Sequence, residues 1–166
     1  GSGTHTLTEE VEFQGDNFRF QGDVLTGTLA QELEWYSGTV NDLTITEAGK
    51  LVLTSGSSKN LTGEVTNQGT IYEYTNDLKI GTESETGVIN NEGIFELASP
   101  SSNLTSGGNN EDQQFNNSGT LKVTSASSIY IPFNNSGTVE VEGSLNFQEQ
   151  DRTHTGKYIA EEGSIY

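Results

Sequence analysis

"NNSGTLKV" occupies residues 116–123 and "NNSGTVEV" residues 134–141, so nearly the same eight residues return after 18 positions. A repeat of this period decides the fold before local propensity does, because each copy must fill an equivalent place in an array. Aligning the chain on the glycine collects "GKLVL" from Gly49, "GTIYEY" from Gly69, "GIFEL" from Gly93, "GTLKV" from Gly119 and "GTVEV" from Gly137. "GSLNF" from Gly143 and the truncated "GSIY" from Gly163 join the same alignment. In most copies the second and fourth residues after the glycine are apolar and the third is polar, as in Leu121-Lys122-Val123 and Val139-Glu140-Val141. Period two with a fixed phase describes a strand with one face in and one face out.

The interval between copies varies, from 18 (119 to 137) through 20 (49 to 69) and 24 (69 to 93) to 26 (93 to 119). Weaker strands sit inside the intervals: "GEV" at 63–65, "GVI" at 87–89, "IYI" at 129–131 and "KYI" at 157–159. Short strands joined by turns of variable length predict an all-β chain, a right-handed parallel β-helix (β-solenoid) of about seven coils with irregular outward turns. Each coil lies on the last at the ~4.8 Å strand spacing, and insertions bulge outward without disturbing the core. Within such a stack Asn67, Asn91, Asn117 and Asn135 form a predicted ladder, each amide bonding to its counterpart in the next coil. Gly69, Gly93, Gly119 and Gly137 belong to the same ladder, as residues supplying a backbone conformation that others reach at a cost.

Two copies break the phase. In "GTIYEY" the fourth position is Glu73, and the apolar phase slips to Tyr72 and Tyr74; in "GTVNDL" from Gly38 the fourth position is Asp42. Bulges are the expected cause. Residues 4–48 have closely spaced glycines and fewer Asn turns, and read as irregular coils or a cap ahead of repeats spanning 49–166. "GSG" at 1–3 has the look of a tag remnant, and the absence of Met suggests a piece of something longer.

Composition narrows the function classes. At 166 residues the chain holds one domain with a real core but not a catalytic domain beside a substrate domain. Seven basic against 24 acidic residues give a formal charge of −17, which repels nucleic acid and anionic membrane. Only 30% of residues are hydrophobic, yet they are gathered into alternating runs, so the chain reads as ordered and β-rich. There is no cysteine, hence no disulfide framework, and no apolar run approaches the ~20 residues of a membrane span.

The stretch "NNSGTVEVEGSLNFQEQDRTHTGKYIAEEGSIY" resembles the repeat units of very large secreted bacterial surface proteins, the filamentous-haemagglutinin-like and autotransporter-like adhesins. The resemblance covers residues 49–166 well and 1–48 poorly. It implies a long stiff stalk outside the cell, acting structurally or as an adhesin, with neighbouring repeats of the same parent chain and a glycan or cell-surface ligand as partners. Nucleic acid and membrane insertion are not expected.

Polysaccharide lyases use the same solenoid and set Arg or Lys beside paired carboxylates. Here most of the carboxylates are expected in turns or at outward positions, and Arg19, Arg152 and five lysines do not cluster, so a non-enzymatic role is expected, with a carbohydrate-binding or carbohydrate-processing β-helix as the alternative. Sugar contact calls for exposed aromatic rings; the candidates are Trp35, Tyr36, Tyr72, Tyr74 and Tyr130. His5 and His154 recur within the phrase "THT" and need no chemistry to explain them. No cofactor is expected beyond weakly bound Ca²⁺, for which Asn109, Glu111 and Asp112 form the densest oxygen cluster.

Overall fold

The computed structural model describes residues 3–8, 18–54, 59–75, 77–100, 102–108, 112–148 and 152–166. In chain order the strands are β1 (Thr4–Leu7), β2 (Arg19–Leu29), β3 (Glu32–Ile45), β4 (Lys50–Leu53), β5 (Lys59–Asn67), β6 (Thr70–Glu73) and β7 (Asp77–Ile80). They continue as β8 (Gly87–Asn91), β9 (Ile94–Leu97), β10 (Ser102–Ser106), β11 (Gln114–Asn117), β12 (Thr120–Val123) and β13 (Ala126–Ile129). The last six are β14 (Phe133–Asn135), β15 (Thr138–Val141), β16 (Ser144–Phe147), β17 (Arg152–His154), β18 (Lys157–Ile159) and β19 (Ser164–Ile165). No helix occurs among the described residues.

Every strand pairing among the described residues is parallel, and each joins a strand to its counterpart one coil away. The result is a β-solenoid of about seven turns with three faces. Face A stacks 32–35 of β3 under β4, β6, β9, β12, β15 and β18. Face B stacks β1, the middle of β2 and of β3, the start of β5, then β7, β10, β13, β16 and β19. Face C stacks the ends of β2, β3 and β5, then β8, β11, β14 and β17. The chain visits the faces in the order A, B, C.

The interior is the period-two pattern added up along the axis. On face A one inward column reads Leu33, Leu51, Ile71, Phe95, Leu121 and Val139, with every member buried. At ~1.5–3 kcal/mol per buried side chain, such columns hold together coils that could not fold singly. Val123 and Val141, the fourth residues of the two near-identical phrases, are register partners and both buried. An aromatic spine runs beside them, with ring centroids of Phe95 and Phe115 5.1 Å apart, Phe115 and Phe133 5.3 Å, and Phe133 and Phe147 5.2 Å.

Several sequence expectations change in detail. "GSLNF" and "GSIY" belong to face B, where β16 pairs with β13 and β19, and not to the face A column. The next member of that column is Gly156, whose "KYI" is β18, a face A strand and not an intermediate one. "GTIYEY" contains no slip, since Leu51↔Ile71, Val52↔Tyr72 and Leu53↔Glu73 pair in unbroken register. Its fourth residue points inward like the others. "GTVNDL" is a corner between faces B and C; Asp42 sits there at φ 46°, and the register shifts between Asn41 and Thr44. Residues 19–48 join the same stack through the two longest strands, with further shifts in β2 marking the irregular coils.

The glycine column has a different cause from the one expected. Gly69, Gly93, Gly119 and Gly137 do not adopt positive φ. What requires them is space: a Cβ on any of the four would be driven into the carbonyl oxygen of the glycine one coil earlier, far inside van der Waals contact. We therefore expect Gly119→Ala to lower unfolding stability by at least ~1–3 kcal/mol, read from the midpoint of urea denaturation. Gly3→Ala, where an added Cβ meets nothing within 4 Å, should leave the midpoint unchanged. Equal midpoints for the two variants would remove steric exclusion as the reason for the column.

Candidate functional site

Outward side chains on face A form columns too. Just past the last inward position stand Tyr36, Thr54 and Tyr74, because Thr54 N–H donates to Trp35 O and Tyr74 N–H to Leu53 O, both at 3.1 Å. Tyr72 lies two residues before Tyr74 and shares its outward side. The two rings are nearly parallel, 11° between planes and 6.2 Å between centroids, and Tyr74 is 56% exposed. On the neighbouring rows Val52 and Glu96 are the register partners of Tyr72.

Tyr36 is covered by the Arg19 guanidinium, 4.9 Å from the ring centroid. Glu34 holds that guanidinium, with Nη2 at 3.0 Å and Nε donating at 3.1 Å to the same carboxylate oxygen. Three of the five aromatic candidates are thus brought to one side of the rod. Tyr130 is exposed but follows the end of a face B strand at a different corner. Trp35 is corrected: it occupies the inward column with Leu53 and is fully buried, so it offers no ring to a ligand.

The asparagine ladder is present, and it is double. Inside, Asn67 Nδ2 donates to Asn91 Oδ1 at 2.7 Å, Asn91 to Asn117 at 2.7 Å and Asn117 to Asn135 at 2.8 Å. Each donor also reaches a main-chain oxygen of the next coil: Ile94 O at 2.9 Å, Thr120 O at 3.1 Å and Thr138 O at 3.0 Å. All four side chains are buried. Outside, one residue earlier, Asn134 donates to Asn116 at 3.0 Å, Asn116 to Asn90 at 2.9 Å and Asn90 to Glu64 at 2.7 Å. Asn116 and Asn134 of the outer row line a shallow groove with Ser118, Ser136, Thr153 and Thr155. The inner ladder stops where Ile45 stands below Asn67 and His154 above Asn135. The His154 ring packs on Phe133, Phe147 and Tyr158 instead, and the Tyr158 hydroxyl bonds its Nδ1. His5 is equally aromatic in its surroundings, edge-on to Phe20.

The feature missed from sequence is a buried charge pair. Glu73 fills the inward column between Leu53 and Leu97 and is fully buried. Lys59 fills an inward position of face B in register with Leu78, is 2% exposed, and donates through Nζ to Thr54 O at 2.6 Å. Thr75 donates to Glu73 Oε1 through its N–H at 2.7 Å and through its hydroxyl. Burial pushes the Glu73 carboxyl up from its ordinary range; the Ser102 and Thr75 hydroxyls beside it, the Thr75 N–H and the Lys59 charge offset this only in part. Burial likewise lowers the Lys59 ammonium, against the Glu73 charge that raises it. The signal was available, as a Glu at the fourth position of an otherwise regular phrase.

The calcium candidates Asn109 and Glu111 lie outside the described residues, and Asp112 is exposed. Among the described residues no group of three or more His, Asp or Glu is placed to hold a metal ion. The side chain of Arg152 also lies outside the described residues. Comparison of the chain with known protein families, with curated proteins and with solved structures finds no match.

Two outcomes are expected. Asn117→Ala strands the buried Asn135 Oδ1 and the Thr138 carbonyl, and should cost ~2–4 kcal/mol. Asn116→Ala, whose partners are reached by water, should cost under ~1 kcal/mol, although the two residues are adjacent on one strand. Chemical denaturation of both distinguishes a load carried inside from one shared outside. For Glu73→Gln the measurement is stability against pH. A raised folded pKa means that the stabilising contribution of protonated Glu73 is complete below the ordinary carboxyl value of 4.5 and is lost as pH rises through the folded value. Wild type and variant should therefore converge in acid and separate in the variant's favour as pH rises, by on the order of 1 kcal/mol. Parallel curves would place the Glu73 charge in solvent.

Proposed function

We propose that the chain is a stiff, non-enzymatic segment of a large extracellular surface protein, built like the repeat arrays of filamentous-haemagglutinin-like and autotransporter-like adhesins, and that it spaces or presents contact surfaces. The observation carrying this reading is the continuous face A register from Glu32 to Ile159, in which coils of 18 to 26 residues keep one backbone pitch by putting every length difference into corners. That design conserves a rod and leaves its surface free to vary. The work it performs is mechanical: axial hydrogen-bond ladders and a narrow apolar core resist bending and pulling as one body. The acidic skin, with a net charge of −17, keeps neighbouring rods apart and the edges soluble.

An antibody raised against the folded domain should decorate intact source cells, or material shed from them, without permeabilisation. Signal confined to permeabilised cells would exclude an extracellular stalk.

A further inference from the structure

We infer that Tyr72, Tyr74 and Glu96 form a seat for a guanidinium group, and that the occupant is an arginine of a basic peptide segment on a partner protein. This goes beyond the stalk reading and stands whether or not the rod is extracellular.

The chain already fills one such seat with its own residue. Arg19 lies over the Tyr36 ring at 4.9 Å while Glu34 binds its guanidinium at 3.0 Å. The negative face of an aromatic ring attracts a cation, and an adjacent carboxylate fixes its orientation. Two rows further along the same outward columns, Tyr74 repeats the position of Tyr36. Tyr72 enlarges the aromatic surface with a parallel ring, and the register partner of Tyr72 on the next row is Glu96.

Among the described residues, the chain's own cations leave this second seat open. Glu96 has neither an ion pair nor a hydrogen bond among the described residues. Its other register partner, Lys122, leans towards Glu140, at 3.9 Å. Lys50, on the Tyr72 side, is held by Glu32 at 3.0 Å. A chain of 24 acidic against 7 basic residues, nearly all of those described lying outside the core, draws in cationic rather than neutral or anionic partners. Among cations, the planar guanidinium matches both a ring face and a carboxylate edge, where a lysine ammonium matches only the charge.

The probe is acetyl-Gly-Arg-Gly-Arg-Gly-amide, titrated into the isotopically labelled domain at 150 mM salt (about the physiological level) and followed by amide NMR shifts. A matched lysine peptide and neutral cellohexaose are run in parallel. The expected result is shifts centred on residues 70–74 and 94–98, with the lysine peptide several-fold weaker. Tyr72→Ala/Tyr74→Ala should weaken binding by about five-fold or more and Glu96→Gln by about three-fold. Glu161→Gln/Glu162→Gln, in the acidic depression near the C-terminal coil, should leave binding unchanged. Tyr74→Leu keeps apolar bulk while removing the ring face, and its affinity is read if the double alanine variant fails to fold; weakened binding there supports the seat. The inference is overturned if the tyrosine variants bind as wild type, if shifts spread evenly over the acidic surface, or if cellohexaose perturbs the tyrosines and the arginine peptide does not.

Discussion

Close backbone approach at the corner leading into face A is the constraint on which the remaining structure depends. There the carbonyl oxygen of one glycine lies where the next glycine's side chain would otherwise be, and the main-chain bond Thr70 N–H to Gly49 O, at 3.1 Å, recurs as Thr120 N–H to Gly93 O and Thr138 N–H to Gly119 O, each at 2.8 Å. Once that corner is pinned, the strand after it starts in register with its predecessor. Its second and fourth side chains are then delivered to the interior at every turn. Packing follows from pitch, and not the reverse.

A stack held this way tolerates polar residues inside, provided they are satisfied along the axis. The inner asparagines meet the condition from rung to rung, because an identical amide waits one coil away, and fail it only at the two ends, where Asn67 Oδ1 and Asn135 Nδ2 find no partner among the described residues. Lys59 and Glu73 meet it only in part: each is bonded locally, Glu73 Oε2 finds no partner among the described residues, and the pair feels its attraction without closing an ion pair. A single coil can carry such a defect because its neighbours above and below, Leu53 and Leu97, keep the regular column. The energetic cost is local while the pitch is not disturbed.

How much of this was written legibly in the chain depends on which property is asked for. Phase was readable: Leu121 and Val123 inward, Lys122 outward, and the same for Val139, Val141 and Glu140. Face was not, because all three faces use the same alternation and a small residue ahead of it. "GSLNF" therefore looked like "GTVEV" although it serves a different side of the prism. Glu73 was misjudged for a related reason. A charged residue at an inward position and a shifted strand leave the same trace in the letters, and only register separates them. Trp35 and Tyr36 posed the opposite problem: adjacency on a strand guaranteed that one faced in, but not which. The outward tyrosines were legible as a group, whereas the Arg19 guanidinium above Tyr36 comes from a row that the repeat hardly marks.

The twin rows of asparagine have an electrical consequence. In the inner row each amide nitrogen points towards the C-terminal coil; in the outer row it points towards the N-terminal one. Side-chain dipoles in the two files therefore oppose each other, within a sheet whose own strands contribute little net moment. Adding a rung lengthens both files together, so their moments grow in opposite directions and the axial moment of the side-chain amides stays below that of the inner file alone.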